Sequence, residues 1–156
     1  MLECEYFKTY LAMAKGAAGS KMFRHFYAHD GRRSRDVIRG GKLGCAFFVS
    51  TILHHFGWIK EPHVTVIGLT RDLENNGWKK IVKVREGCVI VWQEEKFGRE
   101  THRHVGIYLG NGRAISNSAA KGCPATHDYR KRGRSRKASG IGNEIEGLWW
   151  NDNIKS

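Results

Sequence analysis

Residues 104–118 read HVGIYLGNGRAISNS. Two short runs rich in β-branched and aromatic residues flank a central Gly-Asn-Gly, and Asn-Gly is the pair favoured in two-residue hairpin turns. An antiparallel hairpin here sets the reading of everything around it. Upstream, KIVKV (80–84) and CVIVWQ (88–93) are further β-branched runs, and NEIEGLWW (143–150) supplies a last strand. The chain before residue 78 reads differently. Tyr6, Phe7, Tyr10, Leu11 and Ala14 lie on one helical face over residues 3–15. Val49, Ile52, Leu53 and Phe56 form a second stripe that begins at Cys45 and stops at Gly57. Residues 65–76 give a third helix closed by Gly77, and residues 31–44, rich in Gly and Arg, read as a loop. Helices first and antiparallel strands afterwards indicate an α+β fold: N-terminal helices packed on a small antiparallel sheet. With 156 residues, no internal repeat and no Pro- or Ser-rich linker, the expectation is one domain over 1–156.

Composition narrows the function classes. No apolar run reaches the roughly 20 residues of a membrane span. The start, MLECEYFKTYLAMAKG, carries Glu3 and Glu5 where an export signal has Lys or Arg, so it reads as a mature helix. A cytoplasmic location is expected on that ground, with release by lysis or non-classical export left open. Cys4, Cys45, Cys88 and Cys123 are widely spaced with no CxxC pair, which points away from zinc ribbons, redox motifs and disulfides. No P-loop or dinucleotide fingerprint is present, so no cofactor is expected. The net charge of +12 favours an anionic partner. Arg130, Lys131, Arg132, Arg134, Arg136 and Lys137 concentrate that charge in RKRGRSRK. This run reads as a solvated loop or a phosphate-binding patch; with no aromatic for base stacking and no DNA- or RNA-binding motif elsewhere, nucleic acid is the weaker reading.

The chemistry centres on KLGCAFFVSTILHHFG (42–57), which places Cys45 at the mouth of a helix. Free N–H groups of a first helical turn favour an anion. A thiol there loses its proton more readily, and the same amides can hold an oxyanion. Gly44 leaves room for a substrate backbone. A cysteine nucleophile needs a base. His54 and His55 lie about 14 Å or more along the same helix and are excluded. His25, His29, His63 and His127 have no distinguishing context. His102 and His104 form an H-x-H pair on one strand face. Together with Cys45 they would give a three-ligand metal set, but no second clustered ligand pair supports that reading, and no metal is expected.

LGCAFFVSTIL followed some 60 residues later by HVGIYLGNGRAIS resembles the NlpC-type cysteine peptidases, a compact branch of the papain-like fold. The resemblance spans roughly residues 27–118, with EGCVIVW (86–92) in the place of the family's intervening strand. It implies that Cys45 is the nucleophile and His104 the general base. It further implies cleavage of an amide bond, as in peptidoglycan stem peptides. Gly44 and Ala46 stand where the family usually has Asp and Ser, and Cys88 stands where Asp is common. The family often supplies an upstream Tyr near the oxyanion site, and Tyr27 is the candidate. A third, orienting residue follows from hairpin register. A two-residue turn at Asn111-Gly112 pairs Gly106 with Asn117; a three-residue turn pairs Gly106 with Ser116. Whichever residue pairs Gly106 shares the face of His104. Asn117 is preferred, because an amide oxygen accepts an imidazole N–H well and Asn-Gly favours the shorter turn. Ser116, the ungapped family match, is the alternative. Interception of the acyl-enzyme by an amine or alcohol would make the same site an acyltransferase or transpeptidase.

Overall fold

The computed structural model describes residues 1–97, 99–130 and 144–155. It is a mixed α+β structure. Among the described residues, three α-helices, α1 (Tyr6–Gly16), α2 (Cys45–His55) and α3 (Val66–Asn75), accompany a six-stranded antiparallel sheet. A small hairpin, β1 (Tyr27–His29) and β2 (Ser34–Asp36), precedes α2, and β2 lies inside the stretch 31–44 expected to be loop. The large sheet comprises β3 (Lys79–Ile81), β4 (Val89–Phe97), β5 (Glu100–Gly110), β6 (Arg113–Ser118), β7 (Cys123–Asp128) and β8 (Ile145–Trp150), in the order β3-β8-β4-β5-β6-β7. No helix among the described residues is long and apolar enough to cross a membrane. Of the basic run, only Arg130 is described, exposed and bonded to the Tyr129 hydroxyl; Lys131, Arg132, Arg134, Arg136 and Lys137 lie outside the described residues.

The helices begin and end where local chemistry requires. Thr65 caps α3 by accepting from the Gly68 N–H. Gly57 and Gly77, both at positive φ, take the chain out of α2 and α3. α2 lies against β5 and β6 and buries Phe48, Val49, Ile52 and Leu53. The central strands are buried on both faces: Val89, Ile90, Val91 and Trp92 of β4 and Val105 and Ile107 of β5 all belong to the core. β7 carries Pro124 yet still pairs with β6, because it is an edge strand, where a missing donor is tolerated.

The hairpin register corrects the sequence reading. Asn111 (φ 51°) and Gly112 (φ 74°) do form a two-residue turn, closed by the pair Gly110–Arg113. Leu109 is then an extra residue in β5, so that Tyr108 pairs Ala114. Gly110, at φ 84°, accommodates this bulge. Gly106 therefore pairs Ser116, and Asn117 faces the other side of the sheet. A Cβ on Gly106 would sit 2.9 Å from that of Ser116 and 3.0 Å from the Trp92 ring, so only glycine fits.

Candidate active site

α2 starts without a side-chain cap. Its first backbone bond runs from the Phe48 N–H to the Gly44 carbonyl at 2.9 Å, so the N–H groups of Cys45, Ala46 and Phe47 precede the helical ladder. Gly44 is the cap residue. A Cβ there would come 3.2 Å from the Phe23 carbonyl oxygen and 3.3 Å from the Asn117 Nδ2. The glycine is thus set by close packing beneath the thiol, whatever room it leaves above.

The loop before Cys45 is anchored along its length. Asp36 accepts from the N–H groups of Phe26, Ile38 and Gly40, and its other contact is the His25 ring at 2.9 Å. Burial pushes the Asp36 carboxyl up, but the Gly40 N–H, His25 and the further amides outweigh it and hold the group at about 2. Arg39 makes two 3.1 Å bonds to Glu100, which also meets the His102 ring at 3.0 Å. The Gly41 carbonyl accepts from the Asn117 amide N–H. Gly41 also crosses Gly122 so closely that a Cβ on it would meet the Gly122 oxygen at 2.5 Å.

The thiol of Cys45 lies 3.9 Å from the carbonyl oxygen of Arg103, the residue before His104. Cys45, His104 and Asn117 line one cavity of about 390 Å³, within the size range of small-ligand sites. Val37, Leu43, Val64, Val66 and Ile67 form an apolar wall, and Lys42, Lys96 and Arg103 bring positive charge against one acid, Glu94. The start of α3 is fixed beside it. Asp72 binds the N–H groups of Lys60 and Glu61 and the His63 ring at 2.6 Å. Burial raises that carboxyl; His63 and the two amides overcome it and leave it below the usual range. Among the described residues, no three His, Cys, Asp or Glu side chains converge as a metal ion would require, so His102, His104 and Cys45 do not make a ligand set.

Asn117 is 2% exposed and spends its Nδ2 on the Gly41 carbonyl, so it docks the loop before Cys45 onto β6. Ser116, 3% exposed, occupies the His104 face instead. Tyr27 stands apart: it is exposed, stacked on His25, and does not line the cavity. The residue that sequence reasoning passed over is His127. Its Nε2 lies 2.8 Å from the Ser116 hydroxyl, and its ring lies 5.5 Å from that of Trp92, which in turn lies 5.7 Å from His104. Its strand, CPATHD, gave no strand pattern from which this placement could be read.

Cys88, the other cysteine near the motif, is fully buried, and burial pushes its thiol up to about 11. It is a core residue whose carbonyl accepts from the Tyr108 N–H. Compared with known proteins, the chain matches no family model and no curated protein sequence.

Proposed function

We propose that the protein is a cysteine hydrolase that cleaves an amide bond through a thioester on Cys45. One observation carries the reading: a cysteine at the uncapped first turn of α2 shares a cavity with His104, its sulfur against the carbonyl that precedes that histidine. The Cys45 thiol gives its proton to His104, and the thiolate adds to the substrate carbonyl. First-turn N–H groups of α2 hold the oxyanion. The imidazolium protonates the leaving amine as the C–N bond breaks, leaving the thioester. His104 then takes a proton from water, the hydroxide displaces sulfur, and the thiol and a carboxylic acid are released. Ser116, on the His104 face, is the third residue of this arrangement; Asn117 positions the loop.

The cavity walls suit a substrate with an apolar portion and an anionic group, held by Lys42 and Lys96. An anionic peptide amide such as a peptidoglycan stem peptide has that chemistry, and the net charge of +12 attracts it. The test is turnover of isolated peptidoglycan and a panel of fluorogenic peptide amides by wild type and Cys45→Ala. The variant is expected to keep its circular dichroism and lose hydrolysis. Full activity without the thiol overturns the reading. Product analysis with an added amine separates hydrolysis from acyl transfer.

A further inference from the structure

We propose that His127 is a positioning residue: acting through Ser116, it fixes the tautomer and orientation of the His104 ring. The proposal rests on Cys45 and His104 being a reacting pair. It begins from two contacts of His127. Its Nδ1 lies 2.9 Å from the backbone carbonyl of Asp128. A carbonyl only accepts, so Nδ1 carries the proton. In the neutral ring, Nε2 is then an acceptor, and the Ser116 hydroxyl 2.8 Å away donates to it. That commits the serine's proton outward, to β7. The oxygen lone pairs of Ser116 remain for a donor on the other side.

The sheet places His104 on that other side. Trp92 pairs His104, Ile90 pairs Gly106, and Gly106 pairs Ser116, so His104 and Ser116 are diagonal neighbours on one face. Gly106 between them has no side chain to intervene, and the Trp92 ring packs beside both histidines. His104 is 6% exposed and its Nε2 is buried. On taking the thiol proton, both ring nitrogens carry N–H, and a buried N–H of a charged ring demands an acceptor. Catalytic hydrogen bonds often tighten only in the reacting complex. Ser116, turned by His127, supplies the acceptor: His104 N–H to Ser116 Oγ, Ser116 O–H to His127 Nε2, His127 Nδ1–H to the Asp128 carbonyl. Serine alone is a weak orienting group, because its hydroxyl rotates freely. His127 removes that freedom.

The test needs no substrate. The rate of Cys45 alkylation by iodoacetamide is followed against pH by peptide mass spectrometry in wild type, His104→Ala, Ser116→Ala, His127→Leu and His127→Gln, each checked for folding by circular dichroism. In parallel, ¹⁵N shifts of His104 are read in histidine-labelled protein. Glutamine retains an acceptor at the end of the side chain; leucine does not. The other titratable groups nearby, Lys42, Glu94, Lys96, His102 and Arg103 at the cavity and Asp128 and Tyr129 beside His127, are the same in all variants. Wild type is expected to titrate below the ordinary thiol value of about 8.5. His127→Leu and Ser116→Ala should raise that midpoint by about one pH unit and mix the His104 tautomers. His127→Gln should restore most of both. A lowered wild-type midpoint that folded His127→Leu and Ser116→Ala leave in place overturns the role of His127 while the Cys45–His104 pair stands. If His127→Leu does not fold, Ser116→Ala decides on the same terms. An ordinary wild-type midpoint that ignores His104→Ala overturns both the pair and this inference.

Discussion

Ser116 and Asn117 are adjacent in sequence and face opposite sides of the sheet, so their substitutions should separate cleanly. Asn117→Ala takes the side-chain donor from the buried Gly41 carbonyl and leaves it the long 3.4 Å bond from the Gly44 N–H. It is expected to lower stability by about 1–3 kcal/mol in urea unfolding while the Cys45 alkylation profile keeps its midpoint. Ser116→Ala is expected to do the reverse on the profile. A midpoint raised equally by both would return Asn117 to the ring. Gly106 gives a second prediction at this scale. Its alanine variant places a methyl 2.5 Å from the Ile115 carbonyl oxygen, a backbone atom that cannot rotate aside. A cost of about 1–3 kcal/mol is expected, as for other overpacked sites, and an unchanged urea midpoint would show that the two strands can part there. The positions of Cys45 at a helix start and of His104 on a strand were legible in sequence, because each sits in a local pattern. The choice between Ser116 and Asn117 was not, because it turns on one bulged residue, Leu109, and the turn dipeptide alone does not announce a bulge. His127 was hidden because its partner lies across a strand pair that no local periodicity marks.

Two carboxylates hold the elements that border the cavity, and against their burial both are kept ionised, Asp36 by backbone amides with His25 and Asp72 by His63 with two amides. Asp36 organises the approach to α2, and Asp72 ties the loop after α2 to α3. A carboxyl depressed in the folded state contributes stability that is complete above its unfolded value, about 3.9, and that is lost as pH falls toward the folded value. For Asp36 that window runs from about 4 down to about 2. Asp36→Asn is therefore expected to be less stable than wild type at pH 7 and to lose less on acidification from pH 4 to 2, read as urea midpoints across that range. Parallel curves for the two proteins would remove Asp36 from the acid response. The helices bracketing these loops follow from apolar stripes and glycine stops, and the sequence placed all three. It also placed β6 and β8 close to their bounds, and β4 and β5 with their shared end, residues 94–97 and 100–103, left out. The β1–β2 hairpin escaped because its six residues are almost wholly exposed and carry no apolar alternation. The insertion of β8 between β3 and β4 escaped because pairing partners far apart in sequence leave no local trace.

The charge of the whole molecule and the local field of the cavity make different predictions, and two alkylating agents of similar size tell them apart. Iodoacetate is an anion and iodoacetamide is neutral. A net charge of +12 attracts iodoacetate to every exposed thiol, weakly and over a distance that salt shortens. Cys45 has more: it opens α2 inside a concave wall that carries Lys42, Lys96 and Arg103 against Glu94. A low-dielectric cleft focuses such a field. Cys4 is exposed and does not line the cavity; with Glu3→Gln and Glu5→Gln removing the two acids that flank it, it reports the global charge within the same molecule. The iodoacetate-to-iodoacetamide rate ratio at Cys45, read by peptide mass spectrometry, is expected to exceed that at Cys4 severalfold at ionic strength of about 0.01 M, where screening acts only beyond about 30 Å. Near 1 M, with a screening length of about 3 Å, the two ratios should converge. If both thiols lose their preference in parallel, the attraction belongs to the molecule as a whole and the cavity adds nothing to it. If the ratio at Cys45 does not change with salt, the cavity is not electrostatically poised for anions, and the anionic group proposed for the substrate must be given up while the thiol chemistry is judged separately.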